Sequence, residues 1–292
     1  MKRLAPILPV LLVALPASLL ALPPGDDQAS KEVGRTTERE LKFVLTSSFG
    51  DVVIERGDRD KVFTLVGDRT TENGTRFNVD YEIRNRIGYA DILLGEVDEE
   101  GGKRGSFSLK NFESGKWSVK MSDAVPISFD MKLGVGHGDF DLSGLQVKDF
   151  NLSTGASDVS LAFDEPNKES IENITIESGV SKFEGRNLGN ANFRHFRFQG
   201  GLGTYRLDFA GAIATEVDVD IELGMGVMTI LIPPEMGARV YHEKNWVSRV
   251  DYDKDFQPTS DNEYTSDNYS TAQGKLNIRI DSGVGSVRIR RR

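Results

Sequence analysis

By residue type and spacing, the groups in this sequence best suited to chemistry are two aspartates, Asp139 and Asp158, each three residues past a glycine, Gly136 and Gly155. If those segments stack as parallel strands, the carboxylates face one another at about 5 Å. Such a pair could hold Ca²⁺ or share a proton in glycosidase-type hydrolysis. Their repulsion is about 1–3 kcal/mol, depending on screening. The same place holds Lys182, Thr204, Val227 and Ser286 in later segments, so solvated corner residues are the expectation. His137 follows its glycine directly, where other segments carry Ala156, Val180, Leu202, Met225 and Val284. That column points its imidazole inward, and with only His195 and His242 as further histidines and no cysteine, a structural place is expected. No Ser-His-Asp set can be assigned from spacing.

Asp251, Asp253 and Asp255 open like an EF-hand loop, but Phe256 replaces the glycine at the sixth place and Asn262 the glutamate at the twelfth. Gly134, Gly136 and Gly138 are followed by no helix that could receive a phosphate, so they belong to a coil corner. No catalytic residue, metal or cofactor is therefore expected. The candidate partner-binding residues are Tyr241, Trp246, Tyr252, Phe256, Tyr264 and Tyr269, which stand among acidic residues in one long irregular stretch. Aromatics with polar neighbours suit recognition of a protein or glycan. The same rings could instead fold back over the side of the body. The terminal Arg290, Arg291 and Arg292 either discourage edge-to-edge aggregation or bind anionic lipid or polymer.

The elements that position these residues form a repeat. With Gly136, Gly155, Gly179, Gly201, Gly224 and Gly283 as anchors, the fifth residue before each is Met131, Phe150, Ile174, Phe196, Val219 and Ile278. The third before is Leu133, Leu152, Ile176, Phe198, Ile221 and Ile280. Two after, nothing is larger than serine; four after stand Phe140, Val159, Phe183, Tyr205, Met228 and Val287. A further copy fits around Ser48. Because strand side chains alternate, the apolar parity must switch at the small residue two after the anchor, which implies a bend there. From Gly136 to Gly224 successive anchors lie 19–24 residues apart, too close for βαβ crossovers. The expectation is an all-β, right-handed parallel β-solenoid with one bent strand per coil, and an antiparallel β-sandwich is the alternative.

Residues 41–292 form this domain, with irregular N-terminal coils at 55–128 and an insertion loop at 233–274. Phe77, Val79, Tyr81 and Ile83, and Trp117, Val119 and Met121, alternate as strands within the irregular part. Ahead of it, Lys2 and Arg3 precede an apolar run from Leu4 to Leu22 that reads as a secretory leader (1–22) or an uncleaved membrane anchor, followed by a flexible linker at 23–40. Either reading places the body outside the cytoplasm, with membrane association through the N-terminus in the second. The 292 residues carry 36 basic and 45 acidic side chains, a formal charge of -9 that argues against nucleic acid as partner. Absence of cysteine excludes disulfides, thiolate metal sites and a cysteine nucleophile.

Trp117 with Val125-Pro126, the run from Gly134 to Gly138, Asn151–Phe163, Gly200–Gly211 and Gly224–Pro233 together resemble the toast-rack β-solenoid of LiaF-type antibiotic-response proteins and of bacterial proteins named as surface adhesins. The resemblance spans about residues 110–290. It implies a noncatalytic envelope domain that contacts an envelope protein or cell-wall polymer, or takes part in stress sensing. LiaF-type proteins carry several membrane helices ahead of the domain where this chain has only the leader-like stretch. The contrasting expectation is a polysaccharide-acting β-helix enzyme, which needs a cleft of carboxylates or basic residues across several coils. The sequence leaves the oligomeric state open.

Overall fold

The computed structural model describes residues 28–68, 76–96, 115–243 and 246–292. The leader-like stretch at 1–22, the Asn73-Gly74 pair that is the sequence's one Asn-Gly hairpin signal, and positions 97–105 of the polar, glycine-rich run from Glu96 to Gly105 lie outside them. Within the described residues the chain is all-β. In order the strands are β1 (Gln28–Gly34), β2 (Glu40–Arg56), β3 (Lys61–Asp68), β4 (Arg76–Arg84), β5 (Ile87–Glu96), β6 (Lys116–Met121), β7 (Pro126–Asp141) and β8 (Gln146–Ala162). They continue with β9 (Ile171–Arg186), β10 (Phe193–Asp208), β11 (Glu216–Ile232), β12 (Gly237–His242), β13 (Ser248–Asp251), β14 (Phe256–Ser260), β15 (Glu263–Ser266) and β16 (Lys275–Arg291).

One mixed sheet contains them all, and its centre is a parallel run in the order β2, β7, β8, β9, β10, β11, β16. Each of these seven strands is 16 or 17 residues long and bends in the middle. Apolar residues before and after the bend both face inward, so one long strand encloses a core that a straight one could not. The inward column five before the anchor holds Phe43, Phe129, Phe150, Ile174, Phe196, Val219 and Ile278, all buried. Phe43 meets Phe129 edge-on at 5.7 Å, and Phe129 meets Phe150 at 6.2 Å. Each such rung contributes roughly 1.5–3 kcal/mol before entropy is set against it.

The register confirms the anchors from Gly155 to Gly283 and the copy at Ser48, and corrects the one between. Val135 pairs with Ala156 and Leu133 with Thr154, so the residue level with Gly155 is Gly134, not Gly136. Gly136 instead pairs with Gly50 and Ser157, in the small-residue column two further on. There the backbone has positive φ at Gly50, Gly136, Gly226 and Gly285, which is what turns the strand. The column directly after the anchor, expected inside, is outside: Val135, Val180, Leu202, Met225 and Val284 are 47–59% exposed.

Both ends of the parallel run have the same construction. Beyond β2 lies a coil broken in two, with β5 pairing its first half and β6 its second, both in parallel. Beyond β16 lies another, with β12 on the first half and β13 on the second. Antiparallel strands then cover each broken coil: β4 on β5, β3 on β6 and β1 on β3 at one end, β15 on β12 and β14 on β15 at the other. Thus residues 28–34, expected within a flexible linker, are a paired strand, and the expected insertion loop supplies the last coil and its cover. The chain passes from β11 to β12 and then returns to place β16 between them.

Asparagines hold the returns between coils. Buried Asn167 donates from Nδ2 to the carbonyls of Val147 (2.7 Å) and Ala191 (3.1 Å) and accepts from the Val147 N–H (2.9 Å), linking its own return to the start of β8 and to the return that follows β9. Asn190 repeats the device one coil on, donating to the Phe163 carbonyl and accepting from the Ala212 N–H.

Candidate functional site

The shift of one anchor by two residues separates the candidate carboxylates. Asp139 pairs in register with Ser160, and Asp158 with His137 and Lys182. Asp158 lies 3.7 Å from the Lys182 ammonium, and His137 is exposed, its Nδ1 2.9 Å from Asp51 Oδ1. Neither the inward imidazole nor the paired acids expected from the sequence are formed. The three aspartates of the EF-hand-like run face arginines: Asp251 and Asp253 meet Arg290, and Asp255 accepts from Arg291 Nε at 2.7 Å. Arg291 Nη1 also donates to the carbonyls of Pro233 (2.9 Å) and Met236 (2.8 Å), while Arg292 pairs with Asp208. Arg290 and Arg291 thus clamp the broken coil to β16, a strand inside the sheet and not at its edge, and Arg292 ties the chain end to β10. The edge-protecting role expected for them gives way to this one.

The six aromatic candidates divide. Phe256 is buried, and Tyr252 stacks on Tyr264 at 4.1 Å and 13° while leaning on Phe256 at 5.9 Å. Tyr269 lies between the Arg239 guanidinium (4.4 Å) and the Lys275 ammonium (5.2 Å), and its hydroxyl donates to Asn277 Oδ1 at 2.8 Å. These four rings pack the end cover. Tyr241 and Trp246 remain outside, 39% and 96% exposed.

Tyr241 belongs to a pocket that sequence reasoning missed. Parallel register sets His195, Asp218, Asn277 and Arg239 side by side across β10, β11, β16 and β12, and two residues on sets Arg197, Asp220, Arg279 and Tyr241 in a second row. His195, Asp218, Asp220, Arg239, Tyr241, Asn277, Ile278 and Arg279 line a pocket of about 560 Å³. Arg279 lies over the Tyr241 ring at 5.4 Å, and His195 Nδ1 is 3.5 Å from Asp218. Asn277 Nδ2 donates to Glu216 (2.7 Å) and Asp218 (3.3 Å). That bond, with the Lys275 charge, holds the Glu216 carboxyl below the usual carboxylate range. Among the described residues Arg279 and Asp220 enter no ion pair, and Arg279 stands between Asp220 and the exposed Tyr241 ring in the second row. The set can stack on and hydrogen-bond a polar ligand, and it holds no nucleophile with a base at its side. The signal lay in the repeat offsets, because equivalent positions of neighbouring coils become lateral neighbours.

Residues 24–186 match the model of the N-terminal domain of toast_rack (DUF2154), more than half of the chain. The chain belongs to the toast-rack family. Solved structures similar to it include one described as a putative cell adhesion protein from Clostridium sporogenes, 20% identical, covering 91% of this chain and 99% of that one with a TM-score of 0.46. Another, described as a putative adhesin from Bacteroides fragilis, is 12% identical with a TM-score of 0.38 and the same coverage of each chain. No curated protein matches. The toast-rack match ends with β9, so the pocket lies beyond it.

A second concave feature crosses the toast-rack coils at the bend. It is a trough of about 990 Å³ from β2 to β16, lined by the anchors Ser48, Gly134, Gly155, Gly179, Gly201, Gly224 and Gly283, by the two residues before each of the first six, and by Asp281 before the last. The wall two before the anchor carries Thr46, Lys132, Ser153, Glu177, Gln199, Glu222 and Asp281. The exposed apolar column comes directly after the anchors in sequence.

Proposed function

We infer that this toast-rack chain is a noncatalytic binding module of the cell envelope, wound as a right-handed solenoid, that engages an envelope protein or cell-wall polymer through the Tyr241 pocket. The observation that carries the reading is the pairing of an exposed Tyr241 with an ion-pair-free Arg279 and Asp220 in one recess built by four strands. An aromatic face with convergent polar groups is the composition of a recognition site. The leader-like N-terminus supports a place outside the cytoplasm. A role in envelope-stress sensing follows if the partner is a membrane sensor.

The test is retention of envelope extract, fractionated into protein and polymer, on the immobilised full-length chain. Tyr241→Ala and Arg279→Ala should each abolish retention without moving thermal unfolding. Equal retention by both variants would place binding elsewhere. Release of a product from the polymer fraction would favour the polysaccharide-acting alternative.

A further inference from the structure

The exposed apolar residues of this chain are not scattered. Among the described residues, five of the ten large exposed hydrophobic side chains, Val135, Val180, Leu202, Met225 and Val284, stand in one column on successive coils, with exposed Ala156 between the first two. Single exposed apolar residues need no explanation, but a continuous stripe does. At about 4.8 Å per coil the six positions form a ridge about 24 Å long. Beside it runs the trough, whose floor lacks side chains from Gly134 to Gly283, so a second surface can approach the backbone closely.

We propose that two copies of the chain pair face to face along this ridge, with their coils running in opposite directions and the two-fold axis between β9 and β10. Matching periodicity is the first argument, since a second copy presents the same ridge at the same spacing. Size is the second: this register opposes Val135 to Val284, Ala156 to Met225 and Val180 to Leu202, so the smallest rung meets the longest. Charge is the third. On the trough wall Lys132 faces Asp281, Ser153 faces Glu222, and Glu177 faces Gln199. Three residues after the anchors His137 faces Ser286, Asp158 faces Val227, and Lys182 faces Thr204. No like charges meet in either column. A shift by one coil that sets Glu177 against its own copy loses this, so the charges select the register as well as the partner. The interface is isologous and closes at two copies.

The chain contains no cysteine, so introduced thiols report unambiguously. The full chain should sediment as a dimer, and Leu202→Asp should render it monomeric with the unfolding of the dissociated chain unchanged, since that side chain is already half exposed there. Under mild oxidation a mixture of Lys132→Cys and Asp281→Cys chains should give a disulfide-linked dimer containing one of each, while either variant alone stays uncrosslinked. A monomeric parent chain, an unaffected dimer in Leu202→Asp, or crosslinking of Lys132→Cys with itself would each overturn the proposal. Retention of a different partner on the ridge by a monomeric parent would assign the ridge to that partner instead. These outcomes are independent of the Tyr241 pocket.

Discussion

The carbonyl oxygen of Gly179 lies 2.6 Å from the place a Cβ on Gly201 would occupy. The same relation joins Gly155 to Gly179 at 2.7 Å and Gly201 to Gly224 at 2.7 Å. The anchor column is glycine because each coil passes over the backbone of the one before with no room for a side chain. Gly201→Ala should therefore destabilise the chain by about 1–3 kcal/mol, as overpacking does. Urea unfolding measures it; a neutral result would mean that the bend can open without loss.

The outward turn of the column after the anchor separates two substitutions that look alike in sequence. Phe196→Ala removes a ring that is 1% exposed and packed on Phe193 and Phe209, and should cost about 3–5 kcal/mol. Leu202→Ala, at 48% exposure, should shift the unfolding midpoint of the dissociated chain by under about 0.5 kcal/mol. Equal losses would return that column to the interior.

Arg291 joins β16 to the broken coil through Asp255 and the carbonyls of Pro233 and Met236, with its guanidinium over Phe256 at 5.2 Å. Arg291→Ala should cost about 2–3 kcal/mol because mostly buried acceptors lose a charged donor. Hydrogen exchange should show the loss first in β12 to β15. Arg279→Ala, without an ion pair, should leave stability within about 0.5 kcal/mol of the parent.

Burial, with a smaller contribution from Tyr264, pushes the Tyr252 phenol well above its ordinary value, and among the described residues its hydroxyl has no hydrogen-bond partner. The unfolded chain ionises at about pH 10 while the folded chain stays protonated, so this group leaves stability independent of pH below about 10 and lowers it as pH rises above that. Tyr252→Phe should flatten that alkaline decline and raise neutral-pH stability by up to about 1 kcal/mol, since a buried unpaired hydroxyl is removed. A steeper alkaline decline in the variant would contradict the assignment.

The inward columns were legible because two apolar residues at alternate positions recur at each anchor, and only parallel stacking uses that recurrence. The first anchor slipped because Gly134, Gly136 and Gly138 are spaced by two, the strand period, so a shift by two still fills the columns with Met131, Leu133 and Phe140. That slip alone created the Asp139–Asp158 pair. The column of Val180 and Leu202 misled for another reason: apolar composition does not say which side of a bend a residue takes. The broken end coils were hidden because β12 and β13 precede β16 in the chain yet lie beyond it in the sheet. Half-buried Tyr252, stacked on Tyr264, and exposed Tyr241, paired in register with Arg279, are alike in composition, and only their places in the end coil divide them.

The most direct measurement is site-specific photocrosslinking in intact source cells, with the reactive side chain placed at Arg197, beside the pocket in its second row, and, for comparison, at exposed Lys168 between β8 and β9. Capture of one envelope protein or polymer from position 197 but not 168, lost when Tyr241→Ala is added, is the predicted result. Equal capture from both positions, or capture indifferent to Tyr241, would contradict a binding site in that pocket.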